Sequence, residues 1–442
     1  MALPQFDAIV IGAGVAGLAA AGELARAGRA TLLLEARDRI GGRVWTRSEP
    51  ALGVPVELGA EFIHGRAQLT RDWLARAAVG VTDAAERHLT LQHGVLREGE
   101  RLFAQVQRVL RHSHALDLRD VSFDTLLDRH LRAELTPEAR RFARMMAQGF
   151  DAADTRRASA RALRAEWSGD TLGDAPTSRP DGGYGSLLEA LRRELPPERV
   201  QLRLQCAVSA VRWSAQGVEV RARHLGAVLH ARARHALLAL PVESLRGGSG
   251  APRFAPTLQA KRAPLRAVRS GPVVKLLLRF ATPFWETLQQ GRFRDAGFFH
   301  ATGARLPTFW SPAPAHAPLL VAWAGGPRAR QLLTLSPPRL AHAALASLER
   351  MFGRRPPGVE ACYFHDWQRD PWSRGAYSYV TVGGEAARGQ LAEPLAQSLF
   401  FAGEATDVDG EAGTVTGALQ SGVRAARQLL ESPRLRPHGR RP

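Results

Sequence analysis

Residues 6–44 read FDAIVIGAGVAGLAAAGELARAGRATLLLEARDRIGGRV, and this stretch decides the fold. The apolar run 6–11 has the length and composition of a buried strand, and Gly12, Gly14 and Gly17 follow it at once in GxGxxG spacing. Residues 18–27 are rich in Ala and Leu and favour a helix, which Gly28 is placed to end. A second strand-like run, 31–34, closes on Glu35, 23 residues after Gly12. The order strand, glycine turn, helix, strand, acid predicts a βαβ unit with a dinucleotide site. Gly12 permits the tight turn, Gly14 lets backbone approach a pyrophosphate, and Gly17 allows close helix–strand packing. The helix N-terminus, where Ala16 lies, faces the phosphates, while Glu35, followed by Ala36 and Arg37, takes a ribose hydroxyl.

Working outward, the 442 residues give room for more than one domain, and ordinary Gly and Pro contents exclude collagen-like and wholly disordered chains. The net charge is +18, yet the 58 arginines are spread along the chain and lysine occurs only at Lys261 and Lys275. A solvated arginine-rich surface explains this better than a nucleic-acid site. Cys206 and Cys362 cannot form a disulfide framework and read as buried apolar residues in a reducing compartment. No signal peptide is evident, no apolar run reaches the length of a membrane span, and the basic 434–442 tail is not an anchor. These features point to a cytoplasmic protein without metal, since no His/Cys/Asp cluster has ligand spacing.

Residues 69–167 carry few strand signals and read as a mostly helical insertion, with helical spacing at 123–131 and 138–146. Residues 180–191 (PDGGYGSLLEAL) read as a glycine turn entering a helix. The runs 200–204, 208–213 and 218–223 read as a meander, 236–240 as a strand, and 242–265 as a crossover. Residues 273–280 and 319–323 read as strands, 340–352 as a helix, 400–403 as a short strand and 417–430 as a closing helix.

After the second strand, Gly41, Gly42 and Arg43 add a further turn, with an arginine able to pair phosphate oxygens. Together with the fingerprint, this turn resembles the FAD-binding N-terminus of the flavin-containing amine oxidase superfamily. The resemblance extends through 57–65 (ELGAEFIHG), 180–191, 270–285 (SGPVVKLLLRFATPFW), Trp367, 371–379 (PWSRGAYSY) and 401–418, so nearly the whole chain is covered in order. Within the family it is most similar to the polyamine oxidases and lysine-specific histone demethylases, and less so to the membrane-anchored monoamine oxidases.

The resemblance implies an α/β fold. A Rossmann-like FAD-binding domain is assembled from 1–70, 180–255 and 395–442. A substrate-binding domain of mixed sheet is assembled from 71–179 and 256–394. Gly59, Ala60, Glu61 and Phe62 are implied to pass beside the isoalloxazine, Val208 to meet adenine through its backbone, and Trp367, Gly403, Glu404, Thr414, Val415 and Ala418 to complete the FAD site. Lys275 sits mid-strand, where a charge is avoided and desolvation lowers a lysine pKa. The family role implied for it is to hold a water at flavin N5, and by alternation alone it reads as solvent-facing. Tyr377 falls at the aromatic-cage position, where a ring face attracts an ammonium. Ala376 stands where some relatives attach flavin through cysteine, implying noncovalent FAD, and Thr414 stands where many carry a second cage tyrosine, implying a wider cavity. His64 is implied to reach substrate, and is otherwise structural. Asp407, Asp409 and Glu411 read as a solvated loop, or else as a field that draws in a cationic amine.

The implied activity is hydride transfer from an amine α-carbon to flavin N5, followed by imine hydrolysis and reoxidation by O2 to give H2O2. An amino-acid oxidase or a desaturase of the same fold stays open, as does a flavin-binding scaffold or nucleic-acid binder without turnover.

Overall fold

The computed structural model describes residues 5–168 and 175–432, so the basic 434–442 tail lies outside the described residues. Two large sheets organise them. In the first, strand Gln5–Ile11 lies between Ala227–Leu238 and Thr31–Leu34, parallel to both, and Val200–Arg203 extends the parallel edge beyond Thr31–Leu34. Leu399–Phe401 also pairs in parallel with the end of Ala227–Leu238. The other side is an antiparallel meander of Cys206–Ser214, Gly217–His224 and the first half of Ala227–Leu238, with Arg253–Ala255 at its edge. The run 200–204 therefore belongs to the parallel edge and not to the meander.

Residues 227–238 show why that strand was only half legible. Its burial alternates over the meander half and becomes continuous over the parallel half, where both faces are covered. On one face, Ala8, Val10, Leu33, Leu237 and Phe400 pack against helices Val15–Arg26 and Val415–Glu431. On the other, Ile9, Ile11, Leu32, Leu34, Leu238 and Phe401 pack into the core beneath the meander.

The second sheet runs Ala361–Phe364, Val273–Arg279, Leu319–Gly325, Thr308–Trp310, Phe298–His300, His88–Gln92, Val95–Glu98. Strand Val273–Arg279 does not alternate with solvent, because both of its faces are covered. Val274, Leu276 and Leu278 pack into the core that includes Leu340, Ala344 and Leu348 of helix Pro337–Phe352, while Leu277 packs against Leu52, Val56 and Leu58. Lys275 is consequently buried, which corrects its solvent-facing reading.

The insertion is helical over Glu100–His112, Pro137–Phe150 and Ala160–Ser168, but it also lends this sheet a hairpin. That hairpin is His88–Gln92 and Val95–Glu98, turning at His93 and Gly94, both with positive φ. Residues 123–131 form one α-turn and one π-turn rather than a continuous α-helix. The 242–265 crossover holds a short helix, Val242–Leu245, and the edge strand Arg253–Ala255. Cys206 is buried as read, but Cys362 is exposed on the edge strand Ala361–Phe364, a correction; both thiols are free.

Candidate active site

One continuous cavity of about 700 Å³ runs from the glycine turn, past Lys275 and Tyr377, to the helical insertion. Every site residue read from the sequence lines it except Gly17.

Gly17 has a different task. A Cβ there would sit 1.8 Å from the Gly12 carbonyl oxygen, and one on Gly12 2.5 Å from the Ala239 oxygen. These two glycines are closed by protein. Gly14 is open, its nearest neighbour being the Gly41 oxygen at 3.9 Å. It is also the N-cap of helix Val15–Arg26 and offers no side chain to the first turn. The amide groups at that end are thus left to an anion from outside the helix. Buried Glu35 accepts from the Ala13 amide (2.8 Å) and from the Arg37 amide (2.9 Å), which fixes its carboxylate at the cavity wall. Gly41, Gly42, Ala16, Ala36 and the backbone bulge after Val208 complete this end. An open glycine, an uncapped helix start and an anchored acid fit the diphosphate and ribose of FAD.

The arginines here are already ion-paired. Arg37 Nη2 lies 2.7 Å from Asp370 Oδ1, and Arg43 Nη1 lies 2.9 Å from Glu404 Oε1 and also donates to the Ala376 carbonyl. Asp370, which also holds His365 (2.9 Å), and Glu404 both stay below the usual carboxylate range, because these partners outweigh burial. Arg43 thus ties the 41–44 turn to the Gly403–Glu404 segment.

In mid-cavity, Trp367 donates to the Leu58 carbonyl (2.9 Å), fixing the strand that leads into Gly59 and Ala60. Lys275 Nζ lies 2.9 Å from the Gly59 carbonyl oxygen and 2.8 Å from Glu61 Oε2. Glu61 Oε1 also takes Arg179 Nε and Trp310 Nε1, each at 2.9 Å. Two cations hold the buried Glu61 carboxyl below its ordinary range. Lys275 is thus buried but not isolated, since its side chain is ion-paired with Glu61.

Tyr377 presents its ring to the same chamber. Its hydroxyl donates to the Phe150 carbonyl (2.8 Å) and Trp323 Nε1 to that of Gly149 (2.9 Å). Both acceptors are C-terminal carbonyls of helix Pro137–Phe150, which the helix itself leaves unpaired. The insertion and the cage are thereby fastened to each other. Burial pushes the Tyr377 phenol above its usual value, so it stays neutral. His64 lies between Phe62 and Phe150, its pKa lowered to about 4 by burial.

Thr414 faces the cavity as the N-cap of Val415–Glu431, accepting from the Gly417 amide (3.0 Å), so one amide at that helix start is already used. The solvated-loop reading of 407–411 needs correction: Asp409 is exposed, but Asp407 and Glu411 are buried, and Asp407 Oδ2 accepts from the Glu411 amide (2.8 Å). Asp407 folds the turn that leads to Thr414.

Other wall residues had no signal in the sequence: Phe142, Met145 and Asp151 from the insertion, and His88, Phe298, His300, Trp310 and Trp323 from the second sheet. The 308–310 and 298–300 strands are three residues long, too short for periodicity to reveal.

The family profile described as "Flavin containing amine oxidoreductase" matches residues 15–79 and 80–430. The chain belongs to this family. Membership makes FAD its cofactor. It is 28% identical to lysine-specific histone demethylase 2 of Homo sapiens over 95% of its own length and 53% of that protein's. It is also 28% identical to polyamine oxidase 2 of Arabidopsis thaliana, covering 95% and 86% of the two chains. The chain spans about half the length of the human and mouse demethylases that it matches. Two solved structures share the fold across 97% of this chain and 99% of theirs. They are putrescine oxidase bound to putrescine (TM-score 0.79, 22% identity) and cyclohexylamine oxidase from Brevibacterium oxydans IH-35A (TM-score 0.78, 22% identity).

Proposed function

We propose that this chain oxidises a small-molecule amine at this cavity, with O2 as electron acceptor. One observation carries the reading: the open-glycine cradle and the Lys275–Tyr377 chamber are ends of a single cavity. Noncovalent FAD, which Gly14, Glu35 and the Gly59–Phe62 segment would hold, would supply the two-electron oxidation of the amine at its α-carbon and the return of those electrons to O2 as H2O2. The noncovalent assignment rests on Ala376, a residue without a nucleophile at the cavity wall.

The chain's own part is positional and electrostatic. Tyr377, its hydroxyl fixed, offers a ring face to the amine nitrogen as positive charge develops on it during oxidation, a contact worth about 0.5–2 kcal/mol. The Lys275 ammonium, fixed by Glu61 and the Gly59 carbonyl, keeps a donor at the middle of the cavity, where it can order the water that hydrolyses the imine. Aromatic walls from Phe62, Phe150, Trp310 and Trp323 exclude other water. The substrate must enter the reaction as the neutral amine, so kcat/KM rises with pH. The arginines that line the cavity among the described residues, Arg37 and Arg43, are both paired with carboxylates, which favours an amine over an amino acid whose carboxylate needs a free guanidinium. Two free thiols suit a reducing, cytoplasmic setting. The test is turnover: an aerobic panel of mono-, di- and polyamines, with peroxide and ammonia or primary-amine release measured. Peroxide with at least one amine supports the reading, and none with any amine refutes it.

A further inference from the structure

We propose that His88 and His300 form a neutral hydrogen-bonding subsite in the substrate cavity, and that it takes an uncharged polar group, such as a hydroxyl, at the far end of the amine. The inference deepens the amine-oxidation reading and rests on it for the identity of the reacting end.

The two imidazoles come from adjacent parallel strands, His88–Gln92 and Phe298–His300. His88 Nδ1 lies 3.0 Å from His300 Nε2, and His300 Nδ1 lies 3.2 Å from Thr308 Oγ1. Phe298 stacks on His88 at 4.4 Å with planes 12° apart, which fixes the ring. All four residues line the cavity.

This chain of hydrogen bonds leaves one ring nitrogen, His88 Nε2, without a hydrogen-bond partner among the described residues. Each neutral imidazole carries one proton, so the relay has two consistent directions. If His300 donates to Thr308, then His88 donates to His300, and His88 Nε2 is an acceptor. If Thr308 donates to His300, the relay reverses and His88 Nε2 is a donor. A hydroxyl satisfies either state, because it both gives and accepts.

A second ammonium fits poorly. Burial holds His88 at about 4 and His300 at about 3, and no carboxylate contributes to either value. The carboxylates nearest in chain and cavity are otherwise placed. Glu61 is taken by Lys275 and Arg179, Asp151 accepts from Trp167, and Glu86 lines the cavity only at its solvent-exposed edge, where its charge is screened by water. A cation at the imidazoles would be desolvated without a buried counter-charge, whereas a hydroxyl would gain a hydrogen bond at little cost.

The experiment uses the FAD-loaded enzyme and three linear series of roughly four to eight carbons, lengths chosen to span the cavity: alkylamines, ω-amino alcohols and α,ω-diamines. Equilibrium binding is read from perturbation of the flavin absorbance or by calorimetry, and turnover is read separately. The best ω-amino alcohol should bind about tenfold more tightly than the diamine of equal length. His88→Leu should erase that preference, and His88→Gln should keep part of it. Diamines binding as tightly as amino alcohols to the wild-type enzyme would overturn the subsite, a comparison that needs no variant to fold. Binding preference without oxidation of any probe would instead refute amine oxidation and leave the subsite standing.

Discussion

Lys275 and Glu61 form a buried ion pair, Nζ to Oε2 at 2.8 Å, between strand Val273–Arg279 of the second sheet and the loop that enters the cavity. Glu61 also binds Arg179, so the carboxylate serves two cations and the lysine depends on one carboxylate. The two partners are therefore not equivalent under mutation.

Glu61→Gln strands two buried cations and should cost about 3–5 kcal/mol of stability, read by urea denaturation. Lys275→Met leaves Glu61 paired with Arg179, so the protein should fold and stay yellow while turnover falls on the order of a hundredfold. Unchanged kinetics in Lys275→Met would remove the lysine from the account. The ion pair also predicts an acid dependence. The Glu61 pKa is lowered on folding, so its contribution is complete above the unfolded carboxylate value and is lost as pH falls through the folded one.

The glycine turn predicts a contrast between neighbours. Gly17→Ala places a methyl 1.8 Å from a backbone oxygen and should prevent normal folding. Gly14→Ala meets nothing in the protein closer than 3.9 Å, so the apoprotein should keep its melting temperature and lose FAD affinity about tenfold or more. Thermal melts with and without added FAD check both; equal loss of stability in the two apoproteins would show that Gly14 does not face the cofactor.

Tyr377→Phe removes the donor to the Phe150 carbonyl but keeps the ring. It should cost about 1 kcal/mol of stability with turnover within a few-fold of wild type. Tyr377→Ala removes the ring as well, and its kcat/KM should fall further, by about 3–30-fold if only the cation–π contact is lost. Equal kinetics for the two variants would place the reacting amine elsewhere.

His300 predicts the behaviour in acid. Its folded pKa of about 3 lies below the unfolded value, so the unfolded chain binds the proton first as pH falls. Stability from this group is complete above about pH 6.5 and declines towards pH 3, by about 2 kcal/mol between pH 8 and pH 5. His300→Phe should be less stable at pH 8 and lose less on acidification, measured by denaturant titration at both values.

Legibility in the sequence followed the reach of each local signal. The stretch 6–44 was readable because strand, turn, helix and acid are contiguous and each step has a steric reason. The insertion was readable as helix over 138–146 from its apolar spacing, and the helix itself runs Pro137–Phe150, started by Thr136 accepting from the Ala139 amide. Its hairpin at 88–98 was not, because Leu89 and Leu96 are its only fully buried large apolar residues and their partners come from far along the chain. Lys275 could be singled out as a charge in an apolar strand, but its partner could not, since Glu61 is 214 positions away and a pairing between a strand and a distant loop leaves no spacing to read. The His88–His300 contact is hidden for the same reason.

The central claim is that one cavity holds FAD at the glycine turn and an amine against Tyr377. Mixing the purified yellow protein anaerobically with the amine panel tests it most directly. At least one amine should bleach the flavin absorbance of the wild-type protein, and Tyr377→Ala should slow this bleaching. A stably yellow protein that no amine bleaches would contradict it.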